Sequence, residues 1–312
     1  MPPETVSRGI IGGGGRVGSN AAFVLQLRGL GQEIALVDVN AEMAAGEALD
    51  LLHGAAMCAS QRFTSGGYET LTGADMVILT AGLRRKPDES RLDLINRNVE
   101  LFRSILGELS KVELAPNAHL FVVANPVDIL TYLATQETRF ETHRVYGLGT
   151  VLDTLRFRSH LADALGADPT QVEALILGEH GDSQVPIWSS ANINGVPLES
   201  WPGADQRRLD EIAEQTKASG AKVIKLKGGA GYAVGVAIAE VVAAVINDTR
   251  AALPISTLQD GLFGVRDVAY SLPTVVGREG WQSQIAPRLW QKEELGLVNS
   301  GRVLRETIEQ LR

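Results

Sequence analysis

Apolar residues gather early in this chain as short, nearly unbroken runs, at 6–11, 34–37, 76–80 and 120–123. Runs of this kind suit strands of a parallel sheet, whose two faces are both covered. Between them the apolar positions take a different step. Residues 17–27 carry apolar side chains at helical spacing, and within 91–112 Ile95, Val99, Phe102, Leu106 and Leu109 form one amphipathic stripe. Strand alternating with helix predicts an α/β fold built on a doubly wound parallel sheet. Past about Gly147 the pattern shifts to longer helical stretches, 153–165 and 209–225, mixed with short strands such as Val172–Leu177. This predicts a first domain over 1–146 and a second, mixed α+β domain over 147–312. With no low-complexity linker between them, the junction is expected to be packed and the two lobes to share a cleft.

Composition narrows the setting. The 312 residues are 45% hydrophobic, ordinary for a globular protein. A single cysteine, Cys58, cannot form an internal disulfide, so a reducing compartment, the cytoplasm, is expected. The opening residues hold no apolar stretch long enough for a signal peptide, and the run at 234–246 is broken by Glu240 and too short to span a bilayer. Net charge is −8, with cations scattered apart from Arg84, Arg85 and Lys86, which speaks against a nucleic-acid face. An anionic substrate must then be captured locally.

Five short segments hold the candidate chemistry: GGGGRVG at 12–18, GLRRKPDESR at 82–91, ANPVD at 124–128, LDTLR at 152–156 and GEHGD at 178–182. The glycine run admits one G-x-G-x-x-G register, Gly13, Gly15 and Gly18. Such a motif makes a tight turn, brings backbone N–H groups close to a pyrophosphate and faces it with a helix N-terminus. A glycine-rich turn without a ligand is the plainer alternative. Asp38, 20 residues beyond Gly18 at the end of the next run, favours the ligand. A carboxylate there accepts ribose hydroxyls and repels a 2′-phosphate, which points to NAD over NADP.

His180 follows an apolar run and sits between glycines, a place that presents a side chain to a cleft. It is one of five histidines, and a lone histidine is more often a surface or core residue. Asp153 and Arg156 fall three apart on an expected helix and so share a face, as a histidine orienter and a carboxylate fork would, or as a surface ion pair would. A histidine paired with an aspartate stays available as imidazolium near neutral pH. Together they make a proton shuttle beside an anion clamp.

The ordered segments resemble the L-lactate/L-malate dehydrogenase family, over essentially the whole chain. The resemblance implies a Rossmann domain binding NAD and a small-molecule 2-oxo or 2-hydroxy acid as substrate. It implies His180 as proton donor and acceptor, Asp153 as its partner, Arg156 as the clamp on the C1 carboxylate, Arg91 as the polariser of the ketone and Asn125 as a partner of the reacting oxygen. Cofactor contacts are implied for Gly13, Gly15, Arg16, Val17, Gly18, Asp38, Tyr68, Thr80, Ala81, Gly82, Val123 and Asn125. The resemblance also implies a cis peptide at Asn125–Pro126, no metal, and a mobile loop over 82–93 that closes on substrate. A homodimer or homotetramer is implied, and the short stretch ahead of the first strand suggests no long bracing N-terminal arm.

Substrate choice turns on Arg85 and Ala230. Lactate enzymes of the family typically carry glutamine at the first position and threonine at the second, whereas malate enzymes carry arginine and a small residue. Oxaloacetate brings a second carboxylate that needs a cation and room. These two positions predict (S)-malate and oxaloacetate, with Arg85 and Ala230 lining the substrate pocket. The stretches GEHGDSQVPIW and DESRLDLINRN resemble the lactate branch instead, so pyruvate and lactate, or dual specificity, is the alternative. A third reading is an NAD-binding protein without turnover on the same fold. The intact set of His180, Asp153, Arg156, Arg91 and Asn125 weighs against it. Finally, bacterial lactate enzymes activated by fructose 1,6-bisphosphate carry an arginine at the position of Arg158 and a histidine at that of Glu173. A carboxylate at 173 repels phosphate, which predicts no activation.

Overall fold

The apolar runs become strands buried almost to the last side chain, in a computed structural model that describes residues 7–86 and 88–311. Val6 and the residues before it, and Pro87 in the 82–93 loop, lie outside the described residues. The first half alternates β1 (Ser7–Ile11), α1 (Arg16–Leu27), β2 (Glu33–Val37), α2 (Ala41–Gly54), β3 (Arg62–Gly66), β4 (Met76–Leu79), α3 (Arg91–Leu109), β5 (His119–Val122), α4 (Val127–Glu137) and β6 (Val145–Gly147). Its strands pair in parallel in the order β3-β2-β1-β4-β5-β6, the doubly wound arrangement expected from the alternation.

The second half holds α5 (Val151–Leu165), β7 (Val172–Leu177), β8 (Val185–Ile193), β9 (Val196–Pro197), α6 (Gln206–Lys227), α7 (Tyr232–Ile246), β10 (Ala251–Asp260), β11 (Arg266–Gly277), β12 (Gly280–Gln284) and α8 (Gln291–Ile308). Strands β7, β8 and β9 form a small antiparallel sheet of their own. The others do not stand apart. β10 pairs antiparallel with β6 at Ser256 and Gly147, so β10, β11 and β12 extend the first sheet to nine strands. Backbone groups on the edge of β6 are thereby satisfied, as buried N–H and C=O groups must be.

Two core clusters cover the two faces of the large sheet. One packs α3, α4 and α8, through Val99, Phe102, Leu130 and Leu297, against Leu79 and Leu272. The other packs α1, α2 and α7, through Leu25, Ala48 and Val242, against Ile34, Leu36 and Phe121. The apolar run at 234–246 is the middle of this second layer, and among the described residues no helix is long and apolar enough to cross a membrane. At the N-terminal edge of the sheet the packing turns polar. Arg144 Nη1 lies 3.1 Å from His119 Nε2, Tyr146 Oη lies 3.2 Å from its Nδ1, and Arg144 Nη2 donates to Glu279 at 2.7 Å. Burial, and then the charge of Arg144, push the His119 pKa down to about 4. The opposite edge, where the parallel strands end, is left for the site.

Candidate active site

β1 ends at Ile11 and the chain turns at once. Gly12 takes φ +88°, and the N–H groups of Gly12 and Gly13 both donate to Val37 O, at 2.8 and 3.0 Å. The left-handed turn therefore falls on Gly12, one residue ahead of the motif's first glycine. Gly13 is needed for a different reason, since a Cβ there would meet the Leu36 Cβ at 2.7 Å. A Cβ on Gly18 would lie 2.3 Å from Gly12 O, which leaves no room for any side chain. α1 then begins with Gly15 as its cap, with no side-chain cap and no acidic residue in its first turn. Its leading N–H groups are thus left for an anion, which fits a pyrophosphate. Val17 packs against the second core cluster, and the Arg16 guanidinium donates to the carbonyls of Lys227 and Gly229 at the end of α6.

Asp38 follows β2, as expected, and its carboxylate accepts from Gly14 N at 3.1 Å and Asn40 N at 3.0 Å. It sits against the glycine turn, where the ribose of a dinucleotide bound at that turn would meet it. Thr80 Oγ1 donates to Ile11 O at 3.0 Å, and Val123 N to Leu79 O at 2.9 Å, so Thr80, Ala81, Gly82 and Val123 line the same strand ends. Tyr68 stands differently. Its ring is half-buried on the α3 side of the sheet, where burial and then the charge of Glu108 push its pKa up.

The second cluster is built where β7, β11 and α5 meet. Gly178, just past β7, exchanges two backbone hydrogen bonds with Ser271 of β11, at 2.9 and 3.0 Å, which pins the chain entering His180. Asp153 lies in the first turn of α5, where the helix N-terminus favours a carboxylate. Its side chain is 5% exposed, and its two oxygens take the Nδ1 of His180 and, at 2.8 Å, Nη1 of Arg156. Burial opposes both charges. The opposing pull of Asp153, with a smaller one from Asp128, outweighs it and holds the His180 pKa above its ordinary value, while His180 and Arg156 together hold Asp153 below its own. Both shifts favour the pair as imidazolium and carboxylate. With Nδ1 engaged, the partly exposed ring offers Nε2 to the cleft.

Sequence reading missed the support beneath this pair. Asp128, quoted in the ANPVD segment but given no role, accepts from the backbone N–H of His180 at 2.7 Å. Its other oxygen accepts from Ser256 Oγ on β10 at 2.6 Å. Asn125 precedes it across a cis bond to Pro126 and is exposed, with Oδ1 accepting from Val127 N. Ala230 lies half-buried between α6 and α7.

The described residues of the 82–90 loop are largely exposed and are organised by Glu89. Its carboxylate accepts from Lys86 N at 2.8 Å and from Arg97 at 2.6 Å, which hold its pKa low. Arg85 is folded onto the same loop, Nε donating to Glu89 O at 2.9 Å. Arg84 reaches further: a Cβ on Gly229, beside Ala230, would lie 3.9 Å from its Nη2. Arg91, at the start of α3, is paired with Asp182 at 2.8 Å and Glu179 at 3.4 Å. Asp153 thus joins His180 and Arg156, whereas Arg85 and Arg91 are held by other protein partners.

The chain is similar to proteins of one family. A sequence model of the lactate/malate dehydrogenase NAD binding domain matches residues 8–147, and one of the lactate/malate dehydrogenase alpha/beta C-terminal domain matches 150–312. An L-lactate dehydrogenase of Salinibacter ruber is 41% identical over 307 residues, covering 96% of this chain and 95% of its own. L-lactate dehydrogenase 1 of Clostridium acetobutylicum is 40% identical over 304 residues, covering 96% of each chain. Among solved structures, the ligand-bound minor L-lactate dehydrogenase of Enterococcus mundtii superposes with a TM-score of 0.93 at 35% identity, covering 99% of both chains.

These likenesses overturn the malate and oxaloacetate specificity expected from Arg85 and Ala230. The relatives matched over nearly their whole length carry the lactate name, as does the structural neighbour. The cation that a second substrate carboxylate would require at position 85 is turned onto the carbonyl of Glu89.

Proposed function

Since the chain belongs to the lactate/malate dehydrogenase family, with residues 8–147 as its NAD binding domain, we propose that it is an L-lactate dehydrogenase interconverting pyruvate and (S)-lactate. The contact of His180 with Asp153, and of Asp153 with Arg156, carries this reading. Gly13, Gly15 and Gly18 give the close backbone approach that the NAD pyrophosphate needs, and Asp38 the acceptor for its adenosine ribose. When bound, NADH supplies the hydride that reduces C2 of pyruvate. His180, held as imidazolium by Asp153, gives its Nε2 proton to the oxygen of that carbon, and in the reverse direction the neutral ring takes the proton back. Arg156 holds the C1 carboxylate and orients the carbonyl between proton and hydride donors.

Arg91 is the polarising cation of this reading. It exchanges Asp182 and Glu179 for the substrate when the loop closes, and closure also excludes water. Asn125 completes the polar ring around the reacting oxygen. The chain acts as a homo-oligomer in the cytoplasm: α1 and α2 expose Phe23, Leu27, Met43, Leu49 and Leu52, an apolar surface suited to a second subunit.

The test is NADH oxidation with pyruvate by the purified protein beside its His180→Asn variant. The variant is expected to bind NADH as tightly as the parent and to lose roughly a thousandfold in kcat/KM. A parent that binds NADH and leaves pyruvate untouched would overturn the assignment.

A further inference from the structure

Asp128 is a buried carboxylate whose hydrogen-bond partners are neutral donors. It is 3% exposed, second in α4, and enclosed by groups from other segments. The loop after β7 brings the His180 N–H at 2.7 Å, and β10 brings the Ser256 hydroxyl at 2.6 Å. Elsewhere the elements packed on α4 contribute uncharged groups, Gly147 from β6, Leu272 from β11 and Leu297 from α8. The charges acting on it are those of His180 and Glu179.

An unpaired carboxylate in such a place is costly, and two neutral donors offset only part of that cost. Burial accordingly pushes its pKa up to about 7, against the pull of both donors and of His180. Its negative charge also adds to that of Asp153 in favouring protonated His180. Asp153 grips the ring of His180, but a ring is only as fixed as the backbone that carries it.

We infer that Asp128 is a positioning residue for proton transfer, fixing the backbone of His180 while Asp153 fixes its ring; this rests on the function proposed above. The carboxylate spans the end of the parallel sheet, β10 and the histidine loop, so three segments far apart in sequence are set by one group.

The test is Asp128→Asn, which keeps the volume and removes the charge. Pyruvate reduction is expected to fall about 10- to 100-fold, the range for losing a hydrogen bond to a charged group, with the loss in kcat and NADH affinity unchanged. The NMR titration midpoint of the His180 imidazole in the protein without ligands is expected to move to lower pH, because a stabilising negative charge is gone. An unmoved midpoint, with or without loss of activity, reduces Asp128 to a packing residue and overturns the inference. Should Asp128→Asn fail to fold, Ser256→Ala decides: removing one donor makes the carboxylate easier to protonate, so the His180 midpoint must again fall, and an unmoved one is refuting. If the parent does not reduce pyruvate, the proposed function fails, while the titration, which needs no substrate, still decides the role of Asp128.

Discussion

Replacing Asp153 by asparagine removes the charge that holds His180 protonated while keeping the shape of the side chain. Asp153 is 3% exposed and in direct contact with the ring, so solvent does little to screen the pair. An opposite charge at such range shifts a pKa by about 1–3 units, or roughly 1.4–4 kcal/mol of preference for the imidazolium. Arg156, which already lowers the His180 pKa, would lose its counter-ion and push the same way. The folded pKa of His180 is raised, so reductive competence is complete at low pH and is lost as pH rises through that pKa. In the variant the same limb falls about 1–3 units earlier. At pH above both pKa values pyruvate reduction should therefore drop by about 10- to 1000-fold, and the gap to the parent should narrow as the pH falls through them. Lactate oxidation, which needs the neutral ring, should gain on its acid side. The assay is kcat/KM for pyruvate at saturating NADH from pH 5.5 to 9. A deficit that stays constant across that range would refute the electrostatic role and leave Asp153 as a spacer.

Other consequences are as specific. Arg156→Lys exchanges a planar fork for a point charge, so KM for pyruvate should rise by about 10- to 100-fold with NADH binding intact; an unchanged KM would remove Arg156 from the substrate. Gly18→Ala should abolish NADH binding measured by fluorescence, because the new methyl would meet Gly12 O at 2.3 Å; retention of affinity would show that the turn yields. His119 stays neutral in the folded protein down to about pH 4, whereas the unfolded chain takes up its proton near 6.5. Stability from this residue is thus intact above 6.5 and falls by about 3 kcal/mol as pH drops to 4, which urea unfolding at both pH values would register and which His119→Gln should flatten. Fructose 1,6-bisphosphate should leave the pyruvate saturation curve in place: Arg158 already donates to Ala174 O at 3.0 Å beside the charge of Glu173, and a leftward shift would contradict this.

The parallel strands were legible because burial on both faces writes itself as an apolar run, and Asp153 with Arg156 because helical spacing is local. The long strands β10 and β11 were not. Their residues 251–277 mix Pro254, Pro273, Ser256 and Ser271 among the apolar positions, and the two prolines stand opposite each other in the ladder, where sequence patterns argue against a strand. The pairing of Ser256 with Asp128, 128 positions apart, has no periodicity to announce it. Arg85 shows the same limit: residue type indicates what charge is present, while contacts such as that with the carbonyl of Glu89 set where it points.

The single pairing of Ser256 with Gly147 has an implication for how such a chain can be divided. The two matched family segments meet at 147 and 150, yet the large sheet runs through both. Expressed alone, residues 8–147 would end in β6 with its outer backbone groups bare, an adhesive edge that invites pairing with other chains. The halves are distinct in the family models and joined in the sheet, so neither can be exchanged, truncated or circularly opened at that seam without a replacement strand to close it.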